Sequence, residues 1–166
     1  PIGQFVKPDE FDNELIQKWI KSLETLPDEL SKLSLGLSEE VLEEQYRPGS
    51  WTIRQIIHHI ADSHMNGYAR MKLALTENNP TIRPYDENGW SALSDVDSVP
   101  VEVSIELLKN LHIRWVALAK ALNTAELSRT FYHPANEVSV TVAEQIGLYA
   151  WHGEHHLAHI KEALGL

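Results

Sequence analysis

No cysteine occurs among the 166 residues, which excludes disulfides, thiolate metal sites, iron–sulfur clusters and a cysteine nucleophile together. Any metal must be held by nitrogen or oxygen. Long apolar runs are missing too: no stretch approaches the roughly 20 residues that cross a bilayer, and the first thirty residues lack the charged-then-apolar order of a secretory signal. The expectation is a cytoplasmic chain without a membrane partner. Positive charge is scarce, with 14 Lys and Arg against 24 Asp and Glu and a net charge of -10. A field of that sign repels phosphate backbones, so nucleic acid is not an expected partner. Three catalytic signatures are also absent. His152-Gly-Glu-His155 does not have the His-Glu-x-x-His order of zincins, and there is neither a glycine-rich phosphate loop nor a Gly-x-Ser-x-Gly elbow.

What is present is ordinary globular composition, 43% hydrophobic and 23% charged, of a length that fits one domain over residues 1–166. Apolar residues recur at three- and four-residue steps in four stretches. The first runs from Asp9 to about Leu33 through Phe11, Leu15, Ile16, Trp19, Ile20, Leu23 and Leu26, with Pro27 placed to kink or split it. The second runs from Trp51 to about Thr76 behind Pro48-Gly49-Ser50, with Ser50 as the N-cap. Residues 77–100, rich in Pro, Asn, Ser and Asp, read as a long connection, a kind of segment that is often functional. The third stretch runs from Pro100 to about Leu122, with Leu107, Leu108, Leu111, Trp115, Leu118 and Leu122 on one side. Residues 130–140 read as a loop or short hairpin. Thr141-Val-Ala-Glu144 has the capping-box form that opens a last helix ending near Leu164. The fold class is all-α, a four-helix bundle, and facing helices of such bundles are a common place to build metal sites. Trp51, Trp115 and Trp151 are expected in the core, and the carboxylates at Glu39, Glu40, Glu43 and Glu44 on a solvated face.

Of nine histidines, seven fall in two groups: His58, His59 and His64 on the second helix, and His152, His155, His156 and His159 on the fourth. Residues four apart on a helix are neighbours, so His152/His156 and His155/His159 can each chelate a divalent ion. Measured from the apolar stripe of the last helix, His156 lies about 50° and His152 about 90° away, against about 110° for His159 and 150° for His155. The His152/His156 pair therefore points into the bundle better. A third ligand must come from the second helix. Rotation favours His64, which lies on the stripe of Ile53, Ile57, Ile60, Tyr68 and Met71. Depth favours His59: a connection of about 23 residues reaches up to about 75 Å, enough to set the second and fourth helices antiparallel and level His59 with His156. Spacing alone leaves both open.

The stretches Trp51-Thr-Ile-Arg-Gln-Ile-Ile-His-His-Ile-Ala-Asp-Ser-His64, Ile82-Arg-Pro-Tyr-Asp-Glu87, Phe131-Tyr-His-Pro134 and Gly147-Leu-Tyr-Ala-Trp-His152, continuing through His155-His-Leu-Ala-His159, resemble the DinB-like four-helix bundles. Within these they resemble the YfiT-like group of metal-dependent hydrolases. The resemblance spans nearly the whole chain. Residue by residue it implies His59, His152 and His156 as the ligands of one divalent ion per chain, and it implies a homodimer. Asp62, His64 and His159 are then candidates to orient ligands or shuttle a proton, and Arg70, Arg83, Tyr85, Asp86 and His133 to line the pocket or anchor the long connection. Trp90 is a candidate pocket wall, while His58 and His155 are expected on the surface or flank.

Three neutral imidazoles leave positions open for water or substrate. An ion so held brings the pKa of its water towards about 7 or holds a thiol as thiolate. Imidazole suits zinc and nickel. The leading expectation, which the resemblance implies, is a hydrolase acting on a small molecule through a metal-bound water. The alternatives are an S-transferase using a low-molecular-weight thiol such as bacillithiol or mycothiol, which the resemblance to the wider superfamily implies, and a metal-binding module without turnover.

Overall fold

Each of the four apolar periodicities becomes a long helix in the computed structural model, which describes residues 1–166. The elements are α1 (Asn13–Ser34), α2 (Glu39–Leu42), α3 (Ile53–Thr76), α4 (Glu87–Ser91), α5 (Ser94–Ser98), α6 (Val101–Ala121), α7 (Thr124–Leu127), β1 (Thr130–His133), β2 (Val138–Thr141) and α8 (Val142–Ala163). The strands form an antiparallel hairpin with Phe131 opposite Val140. No helix is long and apolar enough to cross a membrane.

Helix α1 packs on α6 and α8, and α3 packs on the same two, so α1 and α3 lie diagonally across the bundle. Side-chain pairings fix the directions. His58 meets Ser104, His64 meets His112 and Met71 meets Trp115, so α3 and α6 run parallel. His59 reaches His152 whereas Gly67 lies under Tyr149, so α3 and α8 run antiparallel. Ser22 bonds Glu154, and Trp19 and Leu26 cover Gly147 and Gly153, which makes α1 and α8 parallel. Parallel neighbours in sequence demand a connection that returns along the bundle, and residues 77–100 supply it. Pro80 and Ile82 anchor that return on β1, where the Tyr132 N–H donates to the Pro80 carbonyl at 2.8 Å and the Ile82 N–H to the Tyr132 carbonyl at 3.0 Å. Arg129 closes the other side: its guanidinium donates to the Ala74 and Glu77 carbonyls at 2.7 and 2.8 Å, satisfying the C-terminal end of α3.

Several local expectations are corrected. Asp12, not Asp9, begins α1, since its carboxylate accepts from the Leu15 N–H. Pro27 lies inside a continuous α1 and does not split it. The N-cap of α3 is Thr52, reciprocated by Gln55 in a full capping box, while Ser50 closes the preceding turn. Before α8 only half of the expected box forms: Thr141 accepts from the Glu144 N–H, but the Glu144 carboxylate pairs with Lys7 at 2.9 Å. The long connection is not plain loop, because it holds α4 and α5. The carboxylates at Glu39, Glu40, Glu43 and Glu44 are exposed as expected, and Glu39 and Glu43 in addition pair with the buried Arg54. Leu107 faces solvent at 47% exposure. Trp151 is half-buried outside the core, with its indole N–H on the Gly3 carbonyl.

The apolar interior is in two parts. One gathers Ile16, Ile20, Leu23, Met71, Trp115, Ile146 and Tyr149 around the hairpin end. The other gathers Leu26, Leu30, Ile53, Ile57, Ile60, Leu108, Leu157 and Ile160. On α3 the break falls between Ile60 and Met71, on α6 between Leu108 and Trp115, and on α8 between Ala150 and Leu157. His64, His112 and His152 occupy those breaks.

Candidate metal centre

Helix geometry assembles this polar layer. The capping box at Thr52 fixes the start of α3 and sets His59 two turns in, on the side that faces α8. Two glycines let the backbones close: a Cβ on Gly67 would run into the Tyr149 ring, and one on Gly153 would lie 2.6 Å from a Leu26 methyl. The Gln145 amide donates to the Gly67 carbonyl at 2.8 Å and locks the approach of α8 on α3.

One ring nitrogen from each of His59, His152 and His156 falls within 4.8 Å of the others. The Nε2 atoms of His59 and His152 are 3.1 Å apart. Two imidazoles on a tetrahedral zinc ion, at bond lengths near 2.05 Å, have their nitrogens about 3.3 Å apart, so this edge already has the right span. Burial holds the rings neutral, the form that ligates. It lowers the pKa of His59 to about 4. Desolvation, helped by the surrounding rings, pushes His152 and His156 well below the usual value. The donor set is three neutral nitrogens with no carboxylate, and it fits a divalent ion that prefers imidazole.

Trp51 tilts over His59 with centroids 4.5 Å apart and lies 6.4 Å from His156, so it walls the site while packing, partly buried, on the edge of the second apolar cluster. His159 stands beside His156, Nδ1 to Nδ1 at 3.4 Å, and is stacked under Tyr46 at 4.0 Å. His64 is fully buried and does not belong to the triad. Its Nε2 lies 3.1 Å from His152 Nδ1, and its Nδ1 lies 2.8 Å from His112 Nε2. His58, expected on the surface or flank, is buried with Nδ1 on the Ser104 hydroxyl. His155 is half-exposed and stacked on Trp151.

The remaining candidates lie around the long connection. Tyr85 packs on Trp90 at 4.6 Å, and its hydroxyl is buried without a partner, which raises its pKa. The Arg70 guanidinium donates to the Arg83 carbonyl at 3.2 Å and reaches Tyr149. His133 carries a buried, unpartnered Nδ1. Asp86 caps α4, accepting from the Gly89 N–H at 2.9 Å, so its role is local. Burial and the nearby Asp95 push the Asp62 carboxyl up to about 6. Sequence reading gave no role to His112, 2% exposed. Its signal was available, because it occupies the buried stripe of α6 one turn from both Leu108 and Trp115.

A four-helix bundle whose central layer gathers three imidazoles from two facing helices defines a class, the helical bundles with histidines clustered between their helices. The particular family follows from comparison: the family model of the DinB superfamily matches residues 22–160, and the chain belongs to that superfamily. A relative from Halalkalibacterium halodurans is 50% identical over 164 residues, covering 99% of this chain and 95% of its own. One from Oceanobacillus iheyensis is 49% identical over 160 residues, covering 96% and 92%. Both carry the name "Putative metal-dependent hydrolase". Among solved structures, YfiT from Bacillus subtilis, described as a probable metal-dependent hydrolase with an unusual four-helix bundle topology, superposes with a TM-score of 0.95 at 44% identity. That match covers 98% of this chain and 93% of YfiT. A mycothiol-dependent maleylpyruvate isomerase shares the fold with a TM-score of 0.68 at 16% identity, over 87% of this chain and 60% of its own.

Proposed function

We propose that the chain is a metal-dependent hydrolase of a small molecule, with one zinc or nickel ion on His59, His152 and His156. The observation that carries this reading is the convergence of three neutral imidazole donors within 4.8 Å, drawn from α3 and α8. The names of relatives about 50% identical support it. When bound, a divalent ion supplies Lewis acidity toward water and toward a carbonyl or phosphoryl oxygen.

The chain's own groups do the rest. His59, His152 and His156, kept neutral by burial, each have one unprotonated ring nitrogen to offer an ion. The Trp51 ring covers the His59 side and excludes water there. Asp62, with its pKa near 6, exchanges a proton close to neutral pH, which suits a general acid or base. Arg70, Tyr85 and His133 offer donors to a substrate along the connection. The test is a panel of esters, amides and phosphoesters with the Zn²⁺-loaded and Ni²⁺-loaded chain. Activity on at least one class that disappears in folded His156→Ala supports the reading. Equal activity in that variant refutes it.

A second reading is thiol S-transfer. It rests on the absence of cysteine, so that any thiolate must arrive with a co-substrate, and on the fold shared with a mycothiol-dependent enzyme. Conjugation of monochlorobimane that needs both metal and added low-molecular-weight thiol supports transfer. No conjugation above the metal-free background rejects it. The same proposal includes a single cytoplasmic domain that pairs as a homodimer, as the resemblance implies; Val103, Leu107 and Ile113 are exposed apolar side chains on α6. Light scattering on the purified chain reads that state.

A further inference from the structure

A buried row of histidines leads from α1 to the metal centre, and its polarity is set by a proline. Within α1 each carbonyl normally accepts from the N–H four residues on. Pro27 has no N–H, so the Leu23 carbonyl lacks that partner. His112 Nδ1 lies 2.6 Å from this carbonyl. A carbonyl oxygen only accepts, so His112 must carry its proton on Nδ1 and leave Nε2 bare. His64 Nδ1 lies 2.8 Å from that bare Nε2 and must donate to it. His64 Nε2 is then bare in turn, and it lies 3.1 Å from His152 Nδ1. The His152 proton must sit on Nδ1, which frees Nε2, the atom that faces His59 Nε2 at 3.1 Å. Every step follows from the carbonyl at the far end, because each neutral ring has one donor and one acceptor.

We propose that His112 and His64 are positioning residues: anchored by the carbonyl that Pro27 leaves unpaired, they hold His152 in the Nδ1–H tautomer and aim its Nε2 at the ion. The inference rests on reading His152 as a ligand. It places the group that orients the ligand in α1, two helices removed from the ion. The rings are 0% and 2% exposed for His64 and His112, so no water can take over their hydrogen bonds. Their stacking, with centroids 5.0 Å apart and planes 23° from parallel, holds the row in line. Pro27 thus has a use in mid-helix, where its ring otherwise only removes a bond.

The test reads the protons directly. Long-range ¹H–¹⁵N correlation spectra of the metal-free full-length chain at pH 7 should show His112, His64 and His152 each with a protonated Nδ1 and an unprotonated Nε2. A proton on Nε2 of any of the three overturns the proposal. His112→Asn keeps a donor for the Leu23 carbonyl but is too short to accept from His64. In this variant the His64 and His152 tautomers should mix and Zn²⁺ affinity should fall about 10- to 100-fold, the usual loss when a partner behind a ligand is removed. Pro27→Ala restores a competing N–H in a better helix former, and should give the same change to a smaller extent without loss of fold. Unchanged tautomers and affinity in both variants overturn the proposal. Wild-type chain with the stated tautomers but no affinity for Zn²⁺ or Ni²⁺ would refute the metal reading while the hydrogen-bond order stands. A wrong tautomer with normal metal binding would refute the relay alone.

Discussion

Zinc at one hundred times its dissociation constant should raise the melting temperature of the wild-type chain by about 8 °C, and the loss of that rise in variants ranks the histidines. Binding to the folded state alone stabilises by about 2.7 kcal/mol at that concentration. A chain of 166 residues unfolds with an entropy of about 0.35 kcal/mol/K, which converts the gain to about 8 °C. If four ligands share the roughly 10–16 kcal/mol of a structural zinc site, one imidazole is worth about 2.5–4 kcal/mol, or about 10²- to 10³-fold in affinity. His59→Ala at the same zinc concentration should then retain a shift below about 1.5 °C. His64 touches His152 but is not one of the three converging donors, so His64→Ala should lose about 10- to 100-fold and keep roughly 1–4 °C. Differential scanning calorimetry with and without zinc, beside metal analysis of tag-free protein, measures the order. A full shift in His59→Ala, or none in His64→Ala with His59→Ala unaffected, would refute the assignment.

Acidification should destabilise the metal-free chain. The folded His112 and His59 have pKa values near 4 through burial, against an unfolded value near 6.5, so between pH 6.5 and 4 the unfolded chain binds protons that the folded chain refuses. Stability is lost as the pH falls through that window, by about 3 kcal/mol for His112 alone. Asp62, raised to about 6, acts in the opposite sense between pH 3.8 and 6 but is a single half-buried group. Urea titrations at pH 7 and 5 check this, and equal midpoints would contradict it. Gly67→Ala should cost about 1–3 kcal/mol, since the added methyl meets the Tyr149 ring, and should weaken zinc binding by spreading α3 from α8. A neutral effect in calorimetry and titration would count against the close approach. Arg129→Ala leaves the carbonyls of Ala74 and Glu77 without their donor, and should lower stability by about 1–3 kcal/mol, with faster amide exchange confined to the last turn of α3.

Periodicity, caps and breakers were enough to find the four long helices, because each is written in local spacing: Ile53 to Met71 keeps one face apolar, and Thr141 opens α8 as read. The family came instead from the resemblance of whole motifs, and residues 130–140 were legible only as a loop or short hairpin. Helix rotation also singled out His152 and His156 as the pair turned toward the bundle. Boundaries moved where a side chain had a distant partner. Glu144 left its box for Lys7, and Pro27 stayed within α1, where the Leu23 carbonyl it leaves without a helical partner lies 2.6 Å from His112 Nδ1. Rotation alone pointed to His64 on α3 for a sound reason, since His64 is the more deeply buried ring. Burial depth, however, does not say which ring meets the pair on α8.

The sequence by itself determined that any ion must be held by nitrogen or oxygen, that the chain is a helical bundle, and which two helices carry the clustered imidazoles. All of that follows from composition and from the 3.6-residue turn. Only the tertiary structure decided that His59 shares a level with His152 and His156, that His64 stands one ring behind, and that His112 closes the row on α1. Those relations depend on the direction and offset of packed helices, which are set by Gly67, by Gln145 and by the path of residues 77–100, and no local spacing encodes them.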